Sequence, residues 1–442
     1  MAVRVESLRT GDVIYQRNSD KLVMPASNMK LLTMSVAAEK LGWDFKYETT
    51  LYAAGTVRDG VLNGDLVVVG GGDPTIGAED PHGAALFDEW ADALLRAGIR
   101  RVQGRLIGDD NAFDDDGIGP GWSWDDLADG YAARSSALSY NENVAVVRIT
   151  PGAMPGAPAT VALTPNGHLL NVTSQVMTAD RGVSTSIQFA RLPGSNAVTI
   201  RGRIAAGANP AVRTTSVDNP TRFFVEGFRL SLATRGIVVT DGASDIDDAI
   251  TPPAATRREI ARHLSPPLAS IAASFLKPSQ NFYGEMILKT LGRTPEAPGS
   301  TAGGRAAVRE TLTSWGVPAD SYVMSDGSGL SRYNYVSADA IVSILKHVWR
   351  DERLRAPFLA ALPVAGHDGT LDTRMRNTVL DAHVQAKTGT IANTRSLSGF
   401  VDTKSGGKLV FSMIANNFTA PSAQIDAIVE RALAMLVERV GS

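Results

Sequence analysis

Polar and apolar residues alternate over Val3–Leu8 and Val13–Gln16, and the Arg9-Thr10-Gly11-Asp12 between them is turn chemistry, so the chain is expected to open on a β-hairpin. The same period of two returns near the far end, at Ser396–Val401 and Leu409–Ala415, on either side of Asp402-Thr403-Lys404-Ser405-Gly406-Gly407. After Pro421 and Ser422 the period lengthens to that of a helix, with Ile425, Ile428, Val429, Leu433, Leu436 and Val440 on one stripe. The two ends of the chain therefore read as parts of one sheet. Between them lies mostly strand and turn, at Tyr47–Ala54, Gly60–Gly70, Val144–Ile149, Ala159–Leu163, Ser184–Ala190 and Val198–Gly202, with helical patterning at Ala84–Ala97 and Thr221–Arg235. No internal repeat or low-complexity tract breaks the pattern.

One predicted helix is apolar on nearly every side. It runs from Ser27-Asn28-Met29-Lys30 to Ala38, before Glu39, Lys40 and Gly42, and a helix apolar all round is a buried one. Ser27 and Lys30, three residues apart in its first turn, share a face. The positive end of the helix dipole and burial both disfavour an ammonium there, so Lys30 is expected to be a neutral amine able to accept the Ser27 proton. Three further Ser-x-x-Lys matches, at Ser274 with Lys277, Ser343 with Lys346 and Ser405 with Lys408, show how freely chance makes such pairs. Taken singly, Ser27 also reads as a helix N-cap with Lys30 reaching out to water.

Lys387-Thr388-Gly389 occurs once. It follows the alternating His383-Val384-Gln385-Ala386, which reads as a strand ending at the glycine. Lysine and threonine on such an edge offer a charge and a hydroxyl to a carboxylate, and Gly389 lets another backbone come close. Ser279-Gln280-Asn281 lies between these motifs, ahead of the helical Ile287–Gly292. Ser139-Tyr140-Asn141 is a second match, and the residues alone leave the two open.

Ser-x-x-Lys, Ser-x-Asn and Lys-Thr-Gly in that order resemble the signature set of the serine penicillin-recognising enzymes. Here 252 positions separate Ser27 from Ser279 and 106 separate Asn281 from Lys387. That long first gap resembles the D-Ala-D-Ala carboxypeptidases of peptidase family S13, the low-molecular-mass class C penicillin-binding proteins. Gly64-Asp65-Leu66, Gly72-Asp73-Pro74, Asp326-Gly327-Ser328-Gly329-Leu330-Ser331 and Leu362–Leu371 extend the likeness over nearly the whole chain.

The resemblance implies a multidomain α+β protein. A β-lactamase/transpeptidase-like domain, an antiparallel sheet with helices on both faces, is expected from residues 1–46 and 256–442. Residues 47–255 are expected to form a large β-rich insertion of two subdomains, 47–72 with 144–255 and 73–143. Lysine usage agrees, since none of the ten lysines falls between residues 47 and 276. The resemblance also implies a serine DD-peptidase, a carboxypeptidase or endopeptidase, acting on peptidoglycan stem peptides that end in D-Ala-D-Ala, with β-lactam antibiotics as covalent inhibitors. Ser27 would be the nucleophile, Lys30 its base and Ser279 the relay to the leaving amine; the Lys-Pro lead and helical sequel favour Ser279 over Ser139. Asn281 would hold the substrate amide, Lys387 and Thr388 its terminal carboxylate, and the N–H groups of Ser27 and Thr390 the oxyanion, beside Gly389. No cofactor or metal is needed. The loop Trp122-Ser123-Trp124-Asp125-Asp126 with Tyr131 reads either as a surface loop with buried tryptophans or as a cleft border where Asp125 or Asp126 attracts an ammonium, and Arg332 either as an ordinary turn residue or as a lining of the same cleft.

Composition narrows the rivals. A net charge of −3 with no basic run gives no footprint for nucleic acid or an anionic membrane. The absence of cysteine excludes disulfides and thiol catalysis. His82, His168, His263, His347, His367 and His383 make no H-E-x-x-H, and no G-x-S-x-G elbow occurs. No apolar run approaches a membrane span and the first residues are not a signal peptide; the resemblance implies an extracytoplasmic enzyme, periplasmic or in the cell wall, expected here in mature or trimmed form. A serine β-lactamase, or a non-catalytic peptidoglycan-binding scaffold, is the alternative.

Overall fold

Val3 and Val5 point to one face of the opening strand and Arg4 and Glu6 to the other, as strand geometry requires. On the first face Val3 and Val5 join Phe411, Met413 and Leu433 in an apolar core. On the second, Glu6 pairs with Lys346 and Arg4 lies 3.6 Å from Asp339, both carried by the helix Ala338–Arg350. The structure, a computed structural model, describes residues 1–77, 81–165 and 170–439, so His168 and Val440 lie outside it.

Two units emerge, one of residues 1–46, 119–121 and 266–442, the other of 47–118 and 122–265. In the first, a five-stranded antiparallel sheet runs in the order Val384–Ile391, Thr394–Asp402, Lys408–Asn416, Ala2–Ser7, Val13–Arg17. Ala2 pairs with Ile414 and Ser7 with Leu409, so the two chain ends are hydrogen-bonded neighbours. The helix Ser422–Arg439 covers one face and Ala338–Arg350 the other. The Lys-Thr-Gly strand does not end at Gly389 as expected. Its partner continues, Thr388, Gly389 and Thr390 pairing with Leu397, Ser396 and Arg395, and the ladder carries the strand to Ile391. The helix Met29–Leu41 is buried from Met29 to Ala38 because helices Leu268–Leu276, Asn281–Leu291, Thr301–Ser314, Ala338–Arg350 and Glu352–Ala361 all contact it.

The second unit is built on a seven-stranded sheet, in which Arg258–Leu264 pairs antiparallel with Glu48–Arg58. The return of that edge strand moves the boundary from the expected 255/256 to 265/266. Strands Arg101–Gln103 and Leu106–Asp109 pair with Val61–Val69 in the same sheet, so residues 73–143 are not a subdomain apart from 47–72. Two three-stranded sheets complete the unit. Its core is aromatic: Phe224 is fully buried, with ring centroids of Phe87, Trp90 and Tyr140 at 5.2, 6.3 and 6.3 Å. Phe224→Ala is expected to cost about 3–5 kcal/mol, read as a fall in the denaturant midpoint of this unit.

Candidate active site

The chain enters the buried helix through a tight turn. Ala26 is left-handed at φ 49°, a 3-10 turn spans Ala26–Asn28, and the α-helix begins at Met29, two residues later than Ser27. The helix has no side-chain N-cap; the part-exposed Ser27 faces Lys30 instead, its Oγ 2.9 Å from the lysine Nζ. Lys30 itself is completely buried.

Lys30 Nζ also donates to Asn281 Oδ1 at 2.6 Å and to the Ser328 carbonyl at 2.7 Å. None of these three partners is a carboxylate. The other Ser-x-x-Lys lysines all hold one: Lys277 pairs with Asp368, Lys346 with Glu6 and Lys408 with Asp402. Burial pushes Lys30 down to about 7, against the pull of Asp326 and Glu285. A neutral amine has two N–H donors and one lone pair, while an amide oxygen and a carbonyl can only accept. With Asn281 and Ser328 taking both hydrogens, the lone pair is left for the Ser27 hydroxyl. Lys387 is buried as well, donates to the Thr388 carbonyl at 3.0 Å, and is held well below the usual lysine range by burial and by Lys30.

Two glycines bracket Ser27. A Cβ on Gly389 would lie 2.6 Å from the Pro25 carbonyl oxygen and 3.1 Å from the Ser27 nitrogen, so only glycine lets the Lys-Thr-Gly strand run against this turn. Gly329, at φ 87°, would bring a Cβ to 1.9 Å from the Ala26 carbonyl oxygen from the Asp326–Ser331 loop. Ser279 is left-handed at φ 66° and part-exposed, and Asn281 opens the next helix, Asn281–Leu291, with the Gln280 side chain accepting its N–H at 3.1 Å. The Leu362–Leu371 segment ties these parts together. Thr370 donates its N–H to the Lys277 carbonyl at 3.0 Å, and Thr388 Oγ1 donates to Thr370 Oγ1 at 2.7 Å.

Ser27, Lys30, Asn281, Lys387, Thr388 and Gly389 thus belong to one set of linked elements, joined by the Ser279 turn. Thr390 is exposed and its hydroxyl accepts from Arg395. Arg332 is exposed at the end of the buried Asp326–Ser331 loop. Asp125 and Tyr131 lie in the second unit, where Ser123 Oγ donates to Asp125 at 2.5 Å and the Tyr131 hydroxyl to Asp126 at 2.6 Å. Trp124 is 69% exposed, so this loop does not bury that tryptophan. The rival Ser139 is structural: buried, it donates to the Ser136 carbonyl at 2.8 Å and accepts from Asn143 at 3.0 Å within a left-handed turn. The Ser328 carbonyl, Thr370 and Glu285 had no assigned role. Glu285 carried a legible signal, as an acid among Phe282, Tyr283, Met286, Ile287 and Leu288, one turn after Asn281.

A family model described as the D-Ala-D-Ala carboxypeptidase 3 (S13) family matches residues 1–435. The chain belongs to that family. Among curated relatives of this S13 protein, a D-alanyl-D-alanine carboxypeptidase of Actinomadura sp. (strain R39) is 34% identical over 97% of this chain and 80% of its own length. Among solved structures, penicillin binding protein 4 from Haemophilus influenzae superposes with a TM-score of 0.87 at 24% identity, covering 99% of this chain and 96% of that one. A predatory endopeptidase from Bdellovibrio bacteriovorus has the related fold, with a TM-score of 0.56 at 17% identity over 99% and 92% of the two chains.

The depressed Lys30 makes the fold's stability depend on pH. Between about 7 and the ordinary lysine value of 10.5 the unfolded chain binds this proton and the folded chain does not, so stability rises with pH through that window and the penalty is full below it. Lys30→Met is expected to remove about 1.4 kcal/mol per pH unit of that rise, seen by comparing the pH dependence of unfolding of the two proteins.

Proposed function

We propose that this S13 enzyme hydrolyses the last peptide bond of peptidoglycan stem peptides ending in D-Ala-D-Ala, through an acyl-enzyme on Ser27. The observation that carries this reading is the buried Lys30 amine, in contact with Ser27 and with no carboxylate among its three partners. Ser27 Oγ attacks the carbonyl carbon of the penultimate residue while its proton passes to the Lys30 lone pair. The C–N bond then breaks, the departing amine takes a proton through Ser279, and water later cleaves the ester. The N–H groups of Ser27 and Thr390 receive the oxyanion. Asn281 binds the substrate amide as well as orienting Lys30, and Lys387 with Thr388 takes the terminal carboxylate. That carboxylate would recharge Lys387, and a charged Lys387 disfavours the Lys30 ammonium further, so substrate arrival itself favours the free base. An endopeptidase reaction uses the same acyl transfer with a second peptide as the leaving amine.

The same chemistry accepts β-lactams, whose ring carbonyl takes the place of the scissile amide. The substrate lies outside the cytoplasmic membrane, and we place the enzyme there. Among the described residues no helix is long and apolar enough to cross a membrane. Asp125, in a loop of the second unit with the exposed Trp124 and with Tyr131, is assigned a free ammonium on the peptide side chain, and Arg332, in the first unit, is assigned to substrate binding.

Benzylpenicillin is expected to add one molecule to the wild-type protein and none to Ser27→Ala by intact mass. Its acylation rate should rise with pH along a limb centred near 7, because only neutral Lys30 can take the proton. Intact drug with no adduct would support the scaffold alternative, and hydrolysed drug with no adduct a β-lactamase. Asp125→Ala is expected to lower kcat/KM by roughly 5- to 10-fold on amino-bearing peptides and to leave their acetylated forms unchanged; equal rates on both would remove Asp125 from the reading.

A further inference from the structure

Behind the Ser27–Lys30 pair, two buried carboxylates grip one loop. Glu285 is 3% exposed and stands one helical turn after Asn281. Its Oε2 accepts the N–H of Gly327 at 3.1 Å and its Oε1 the N–H of Ser328 at 2.9 Å. Asp326, fully buried, accepts the N–H groups of Gly329 at 2.8 Å and Ser331 at 2.6 Å and the Asn334 amide at 2.7 Å. From the buried helix, Thr33 Oγ1 donates to the Gly327 carbonyl at 2.7 Å, one turn beyond Lys30. The loop is pressed close as well, since a Cβ on Gly327 would lie 2.2 Å from the Gly284 carbonyl oxygen. Both polar groups of the 327–328 peptide, the Gly327 carbonyl and the Ser328 N–H, are therefore held, and the next peptide carries the Ser328 carbonyl that accepts from Lys30 and the Gly329 N–H that Asp326 accepts.

We propose that Glu285 is a positioning residue for acylation: by accepting the Gly327 and Ser328 N–H groups it holds the Ser328 carbonyl on the Lys30 amine, so that the amine's lone pair stays turned to Ser27. The inference rests on the Ser27–Lys30 reading above. It differs from a packing role, because a packing role needs neither a charge nor two acceptor oxygens. A glutamine there would present an N–H₂ to one of two backbone donors and lose that hold. The charged groups facing Lys30 are Glu285 from its helix, Asp326 from the loop and Lys387 from the Lys-Thr-Gly strand, while Leu268–Leu276 contributes the Phe275 ring with its centroid 5.9 Å from Nζ. Lys289, one turn further along the Glu285 helix, is also buried. Burial and Asp326 raise the Glu285 carboxyl, and its two backbone N–H bonds favour the anion. The carboxylate form of Glu285 favours the Lys30 ammonium, and burial works against both charged forms.

The test is benzylpenicillin acylation of the full chain from about pH 5 to 9, resolved into a noncovalent dissociation constant and a limiting rate, for wild type, Ser27→Ala, Glu285→Gln, Glu285→Asp and Thr33→Val. Glu285→Gln is expected to lower the limiting rate roughly 10- to 100-fold and to leave the noncovalent constant within about twofold. Glu285→Asp keeps two acceptor oxygens but shortens the reach, so its rate should fall as well. Wild-type rates in Glu285→Gln, or a noncovalent constant weakened in step with the rate, would overturn the proposal. Should Glu285→Gln not fold, Thr33→Val loosens the same peptide without altering charge. A several-fold lower limiting rate at unchanged noncovalent affinity supports the inference there, and a wild-type rate refutes it. Failure of wild type itself to acylate, or acylation of Ser27→Ala, would instead strike the Ser27–Lys30 reading.

Discussion

A lysine amine buried without a carboxylate in contact is the constraint around which the first unit is arranged. Moving its value from 10.5 to about 7 corresponds to roughly 5 kcal/mol against the ammonium. Marginal stabilities of about 5–15 kcal/mol make that a large sacrifice, which only a tightly packed surround sustains. Five helices shut out water. Two carboxylates stand near enough to moderate the effect, yet both spend their oxygens on backbone N–H groups rather than on the amine. Direct contact with either would restore an ordinary charged lysine.

The same chain contains the counterexamples. Lys277, Lys346 and Lys408 each follow a serine by three residues, and each ends in an ion pair with Asp368, Glu6 or Asp402. Spacing alone is therefore neutral. What separates Lys30 is the apolar run that follows it, which buries the amine with no carboxylate in hydrogen-bond contact. Ser139-Tyr140-Asn141 makes the matching point for the second motif, since its polar atoms are consumed in closing a turn.

Much of this was legible in the residues. The alternation at Val3–Leu8 and Leu409–Ala415 marked the two chain ends as strands, and their apolar faces do meet in one core. Asn171–Ala179 and Ala211–Ser216 escaped notice because both are largely exposed and polar, so their strand character comes from pairing with Ala197–Ala205 and Val144–Thr150 rather than from burial. Short strands such as Arg101–Gln103 are too brief to show a period, and with them went the subdomain boundary. At the site, side chains with a distinctive chemistry were visible and backbone groups were not. The Ser328 carbonyl and the crowding at Gly329 and Gly389 depend on how distant segments meet, which no local pattern records.

The pairing of the two chain ends also orders events in time. The strand that carries Lys387 and the strand that pairs with Ala2–Ser7 both belong to the last 60 residues of the sequence. Ser27 precedes Gly389, on the strand that runs against its turn, by 362 positions in the chain. Contacts between such remote segments form late and slowly, after the rest of the chain has been released to find them. A chain in which those segments have not yet met carries the serine and the lysine without the strand that runs against them, so the site is assembled by folding rather than carried by any one stretch of sequence.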